Sequence, residues 1–374
     1  MPRWWRLLGE VTARSSLFVA RVARQSAAMS ARLGGADSAS PLTISLEPWK
    51  SDPHDGNRTV VRVAFDARGL WYYKPRALDM ETVMDELMGR AREIFPELFP
   101  EVLPALHVAG QEGWMQAVGP CRDLPERLHA DYFQHAGALL ALVRSVGGMD
   151  FYRDNLVSDA DGWLVPVDSE CLFSDETLDG GGPAGILESG ILPISSRRLG
   201  PRVAGITTGF LDVPDARLRE ILHRGAPFVE AGFRRCRLAL ARHVSAWLEE
   251  KDLRLRWSSL RRRRLRVGTL GYYTAIERAL SPANLVDDSS WRGSLRRHLE
   301  EVSPGPRENP AEMEFDVEDL SQLDIPHWTE ALAEGGGAVF ERLSKRLGCV
   351  DERWVDEECR ILVASLTGKI AERS

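Results

Sequence analysis

The chain has 374 residues, 44% hydrophobic and 28% charged, with a formal net charge of −7. That length exceeds what one simple core organises, so two or three subdomains are expected, and the acidic balance excludes a general polyanion binder. The five cysteines, Cys121, Cys171, Cys236, Cys349 and Cys359, form no CxxC pair, which argues against a disulfide framework and a zinc site and fits a reducing cytoplasm.

No stretch approaches the ~20 apolar residues of a membrane span. Residues 1–33 are rich in Arg and Ser, with Glu10 the only acid, a composition similar to a transit peptide. Apolar residues at helical spacing in Leu17-Phe-Val-Ala-Arg-Val-Ala23 instead predict an amphipathic terminal helix of the domain. Gly34-Gly-Ala-Asp-Ser-Ala-Ser-Pro41 reads as a linker. A weakly alternating run from Leu42 to Leu46, the β-branched run Thr59-Val-Val-Arg-Val-Ala-Phe65, a turn, and Leu70-Trp-Tyr-Tyr-Lys74 predict a small antiparallel sheet. Met80, Val83, Met84, Leu87, Met88 and Ala91 mark one helix face over residues 79–95. Pro96, Pro100 and Pro104 break up the next segment, and Trp114-Met-Gln-Ala-Val118 is a short strand.

A strong helix over residues 125–146 leads into Gly148–Phe173, a strand, turn and strand carrying Asp150, Asn155 and Asp168. Gly180-Gly-Gly-Pro183 reads as a mobile loop, and the chain stays irregular to about Pro214. Helices are expected over residues 217–250 and within 271–300. Ser303-Pro-Gly-Pro-Arg-Glu-Asn-Pro310 is a second linker, and closing helices lie near 328–346 and 352–372.

An acid, an amide five residues on and a second acid thirteen beyond suit phosphoryl transfer. Asp150 would orient or deprotonate a hydroxyl, while Asn155 and Asp168 would hold Mg²⁺ on a nucleotide's phosphates. Asp and Asn also cluster in ordinary turns, so the spacing alone leaves both readings open. Lys74, at a strand end, can neutralise phosphates with Glu81 or Glu86 as its partner, or be a solvated edge lysine. Asp52 and His54 can serve acid–base chemistry or simply form a turn. The arginines between Arg254 and Arg266 can grip a phosphoryl group or form a solvated basic helix face. Without aromatic interleaving they make a poor nucleic-acid patch. No GxxxxGK or GxGxxG phosphate loop occurs.

Together these stretches resemble the dehydratase domain of class II lanthipeptide synthetases, the LanM type. The matching segments, in order, are Ser51-Asp-Pro-His-Asp-Gly-Asn-Arg-Thr-Val60, Tyr72-Tyr-Lys-Pro-Arg76, Asp150 to Asn155, Pro166-Val-Asp-Ser-Glu170 and Ser189-Gly-Ile-Leu-Pro193. They continue with Arg263 to Tyr272, Leu323-Asp-Ile-Pro-His-Trp-Thr329 and Asp356 to Leu366. The resemblance implies an α+β, two-lobed lipid-kinase-like fold with an added helical region. On that basis residues 1–41 are an N-terminal helix and linker, and 42–120 a small β-rich lobe. Residues 121–245 are the helical lobe with the catalytic and metal-binding loops, and 246–374 a helical extension.

The resemblance further implies a cytoplasmic enzyme that uses ATP and Mg²⁺, without zinc, to phosphorylate Ser and Thr of a leader-bearing precursor peptide. It then eliminates phosphate to leave dehydroalanine or dehydrobutyrine. Asp150 would act at the hydroxyl, Asn155 and Asp168 would be Mg²⁺ ligands, and Lys74 would contact phosphates. Arg263 and Thr269 match the elimination pair, and Asp52, His54 and Glu170 fall on family positions. Tyr152 stands where the family has His, and Val267 replaces a second family arginine, with Arg266 adjacent. An N-terminal helical portion and the zinc-dependent cyclase are expected to be absent, so a separate cyclase would be a partner, with no nucleic acid or membrane. The alternatives are a kinase-only enzyme, or a degenerate partner subunit of a split synthetase.

Overall fold

The computed structural model describes residues 3–34, 44–48, 50–65, 68–174, 182–194, 201–264, 269–302, 310–326, 328–332 and 338–369. Most of the first linker, much of the Gly180–Pro183 loop and the second linker up to its final Pro310 lie outside them. The architecture is mixed α+β, and the chain divides into two compact units that do not follow the segments expected from the sequence. One comprises residues 1–77, 105–117 and 265–328, the other 78–104, 118–264 and 329–374.

The first unit holds a five-stranded antiparallel sheet. Its strands are β1 (Ile44–Glu47), β2 (Val61–Phe65), β3 (Leu70–Lys74), β4 (Leu106–Ala109) and β5 (Glu112–Gln116), in the order β1-β2-β3-β5-β4. β4 was not anticipated, because Pro104 precedes it and its partner β5 supplies the pairing. Helix α1 (Arg3–Gly34) is far longer than the stretch that signalled it, and its Phe18, Val22 and Met29 bury against Val63, Phe65, Tyr73 and Trp114. Such apolar burial is the main stabilising term, roughly 2 kcal/mol per large side chain. At the rim of that core Arg21 pairs with Glu112 at 2.8 Å, and Tyr73 donates its hydroxyl to the same carboxylate.

Two helices of this unit were separated from the sheet by sequence but share its compact body: α6 (Thr269–Ala279) and α7 (Asp288–Val302), with α8 (Pro310–Ser321) beside them. Tyr272, Ile276, Trp291, Leu295, Val317 and Leu320 make their core. Arg3 of α1 reaches the Ser321 carbonyl at 2.9 Å, which explains why the N-terminal helix and residues 265–328 form one unit.

In the second unit, α3 (His129–Ser145) lies against the long α4 (Asp215–Glu249). The backbones touch through glycine: a Cβ on Gly137 would lie 2.1 Å from the Val229 carbonyl oxygen, and one on Gly232 2.1 Å from that of Gln134. Around this pair stand α2 (Asp79–Ile94), α5 (Lys251–Ser258), α9 (Ala338–Leu347) and α10 (Glu352–Leu366). All six anticipated apolar positions of α2 are buried. A two-stranded ribbon, β6 (Leu156–Ser158) with β7 (Leu164–Pro166), follows α3.

The arginine run departs from a solvated helix face. Arg261–Arg264 form strand β8, paired with β9 (Trp328–Ala331), where a closing helix was expected. Arg262 and Arg263 are only 2% and 8% exposed. Among the described residues no helix is long and apolar enough to cross a membrane.

Candidate functional site

The loop between α3 and β6 presents Asp150, and its shape is over-determined. Asp150 has φ 68°, a left-handed conformation uncommon outside glycine that costs of order 1 kcal/mol. Flanking backbone bonds hold it there: Met149 N donates to the Cys171 carbonyl at 3.1 Å and Phe151 N to that of Ser189 at 2.8 Å. Arg153 N donates to the Val203 carbonyl at 3.0 Å, and Tyr152 bridges to Ala204. Gly190, at φ 83°, permits this approach, since a Cβ there would lie 3.0 Å from Phe151 N. The segment Ser189-Gly-Ile-Leu-Pro193, singled out without a role, therefore braces the Asp150 loop.

Asn155 joins the parts of the constellation. Its side-chain nitrogen donates to the Asp150 carbonyl at 2.7 Å and to Asp150 Oδ2 at 3.3 Å. Its backbone carbonyl accepts from Val167 N at 2.9 Å and Asp168 N at 3.3 Å. Asp150, Asn155 and Asp168 thus converge as their spacing suggested. With its nitrogen engaged by Asp150, the Asn155 carboxamide has its oxygen for a cation. An amide oxygen and the Asp168 carboxylate are the hard donors Mg²⁺ prefers. Among the described residues no three His, Cys, Asp or Glu side chains form a metal-holding group.

Electrostatics single out Asp150. Burial, then the neighbouring charges of Glu170 and Asp168, push its carboxyl up to about 7, against the lowering effects of Arg263 and the Asn155 bond. A buried carboxylate poised near neutrality is suited to proton transfer. Tyr152 is no substitute for histidine: burial first, and the Asp150 charge second, raise its hydroxyl pKa further from neutrality.

Arg263 is anchored by the same loop. Its guanidinium forms an ion pair with Glu170, and its backbone N donates to the Glu170 carbonyl at 3.0 Å. Burial lowers its pKa, but Glu170, Cys171 and Asp150 outweigh that and keep it charged. Its Nε, buried, has no hydrogen-bond partner. The sequence placed Glu170 on a family position without giving it this job. Its partner lies 93 residues away, beyond any local signal.

The other candidates are distributed over both units. Lys74 ends β3 and is 4% exposed. Of the two acids offered for it, Glu81 is buried, whereas Glu86 is bound by Arg256 at 2.7 Å and by Trp257 Nε1 at 3.1 Å. Glu86 thus fastens α5 to α2. Asp52 accepts from the Tyr273 hydroxyl at 2.7 Å, and His54 Nδ1 lies 2.7 Å from the Ile325 carbonyl, which places its proton on Nδ1. Between them and β2, Asp55, Gly56 and Asn57 all have positive φ. Asp324 holds that turn, accepting from Gly56 N at 2.7 Å and Asn57 N at 2.6 Å, which gives the Leu323–Thr329 segment a role the sequence left blank. Thr269 opens α6, but its side chain, like Arg266 and Val267, lies outside the described residues.

A family model described as a domain of unknown function (DUF4135) matches residues 6–208, more than half of the chain and all of the Asp150, Asn155 and Asp168 loop. No curated protein matches.

Proposed function

The chain belongs to the family described as a domain of unknown function (DUF4135), and from that premise we propose a peptide Ser/Thr dehydratase of the class II lanthipeptide synthetase type. The family is one associated with lanthipeptide synthetase regions. The observation that carries the proposal is the braced Asp150 loop, with a carboxyl poised near 7, a hard-donor pair, and a buried arginine anchored beside it. A two-lobed lipid-kinase-like fold, a cytoplasmic location, a leader-bearing precursor peptide and a separate cyclase belong to the same proposal.

Asp150 accepts the proton of a Ser or Thr hydroxyl as its oxygen attacks the γ-phosphorus of ATP, and ADP departs. Asn155 and Asp168 would hold Mg²⁺, which when bound supplies positive charge to the phosphate oxygens. Lys74 is assigned to the nucleotide phosphates. In the second step a base removes the α-proton, the Cα=Cβ bond forms and phosphate leaves with the C–O electron pair. Arg263 receives the developing phosphate charge, and Thr269 is assigned to the same step. Asp52 and His54 are the remaining acid–base candidates.

Tyr152 favours a second reading, in which only phosphorylation survives. Its raised hydroxyl cannot serve as the base that a histidine would provide. The two readings differ in product: a phosphopeptide alone, or a dehydrated peptide. A degenerate, non-catalytic subunit is separated from both by calorimetry of ATP·Mg²⁺. The proposal expects saturable binding that is lost in Asp168→Ala. No binding by the unmodified chain would overturn it.

A further inference from the structure

Within the first unit, residues 323–325, just past the end of α8, clasp the turn that carries His54. His54 and Arg58 exchange two backbone hydrogen bonds of 2.9 Å, closing a loop over the three residues between them. Those three, Asp55, Gly56 and Asn57, have φ of 46°, 90° and 61°. Glycine adopts such values freely, Asp and Asn only at a cost, so the loop keeps this shape through outside support.

Asp324 supplies that support. It is 3% exposed, as is Asn57. Its carboxylate accepts from Gly56 N at 2.7 Å, from Asn57 N at 2.6 Å and from Asn57 Nδ2 at 2.9 Å. Successive backbone N–H groups in a left-handed turn form a concavity suited to an anion, and this carboxylate fills it. Burial pushes the Asp324 carboxyl up, against the Gly56 and Asn57 bonds and the Arg14 charge, with Asp55 adding to the rise.

The next residue takes hold of His54 itself. Ile325 N donates to the Pro53 carbonyl at 2.8 Å, and His54 Nδ1 lies 2.7 Å from the Ile325 carbonyl. A carbonyl oxygen can only accept, so Nδ1 carries the proton and Nε2 is the basic nitrogen of the neutral ring. Imidazole in water favours the opposite tautomer, so the clasp selects the less common one.

We propose that Asp324 is a positioning residue for the elimination step: by pinning the 55–57 turn it keeps His54 Nδ1 on the Ile325 carbonyl and makes Nε2 the ring's base. The inference rests on the dehydratase reading, in which His54 is an acid–base candidate, and Asp324 acts only through His54. When Nε2 takes the α-proton, the C–H electron pair becomes the Cα=Cβ bond and phosphate leaves with the C–O pair. The imidazolium so formed keeps its Nδ1–H on the carbonyl.

The test is NMR of the full chain with ¹⁵N-labelled histidine at about pH 8, above the usual imidazole range, with His54→Gln identifying the His54 signals. The Nδ1–H form is expected in the unmodified chain. Asp324→Asn sets an amide N–H against the turn's donors and should move His54 toward the Nε2–H form. It should also lower elimination from a phosphoserine peptide, relative to phosphoryl transfer, about tenfold, the worth of one charge-assisted hydrogen bond. Asp324→Glu returns the carboxylate and should recover part of both. If Asp324→Asn fails to fold, Asn57→Gly keeps the test open, since it relaxes the backbone while removing the Nδ2 bond, and should shift the tautomer the same way by less. An Nε2–H ring in the unmodified chain, or an Nδ1–H ring unaltered in the folded variants, would overturn the proposal. The tautomer is read without turnover, so its failure is distinct from that of the dehydratase reading, which a chain inactive on both the precursor and the phosphoserine peptide would end, together with the role in elimination.

Discussion

Asp150 is held in a left-handed conformation, and burial with two neighbouring carboxylates raises the free energy of its charged form. Such strain persists only where surrounding bonds over-determine it, as the Cys171 and Ser189 carbonyls do here. Asp150→Asn should lower phosphoryl transfer by about 10²–10⁴-fold with ATP·Mg²⁺ binding retained. Phosphate incorporation into a precursor peptide beside a binding titration checks it, and equal loss of both would sink the assignment. Glu170→Gln should cost about 3 kcal/mol in urea unfolding, because it leaves the Arg263 guanidinium buried without its carboxylate. The residues of this loop were legible in the sequence, since Asp, Asn and Asp sit within nineteen positions of one another. The bond from Glu170 to Arg263 was not, because nothing local encodes a contact across 93 residues.

At the level of elements, close backbone contact between α3 and α4 depends on glycines rather than on large apolar side chains. Gly232→Ala should destabilise by about 3 kcal/mol, since the helices must separate to admit the methyl. An unchanged melting temperature would show that the contact is looser than the geometry states. On α8, Asp319 is pushed up to about 7 by burial first and then by Asp324 and Asp55. A raised carboxyl favours the folded state at low pH, and that contribution is lost as pH rises through about 7. Between pH 8 and 5.5 (a window of about that width around the shifted value) the melting temperature should therefore rise. Asp319→Asn should flatten that slope and stabilise the protein at the alkaline end. Periodicity revealed α2 because its core is read from one face of one segment. It concealed β8, where four consecutive arginines carry no alternation and the partner strand lies some sixty residues on.

Across the whole molecule, compact units are assembled from discontinuous segments: α1 and residues 265–328 join the sheet, while α2 belongs with the second unit. Sequence order therefore misled the division of the chain, although the order of elements was largely legible. Non-local pairing is the reason, since Arg3 reaches Ser321 and Asp324 reaches Gly56. The proposed chemistry is tested most directly by mass spectrometry of a cognate Ser/Thr-rich precursor peptide after incubation with the chain, ATP and Mg²⁺. The account predicts loss of the mass of one water per modified residue, with a phosphoryl-bearing intermediate that accumulates in Arg263→Ala. A precursor recovered with neither a phosphoryl group added nor water lost would contradict it.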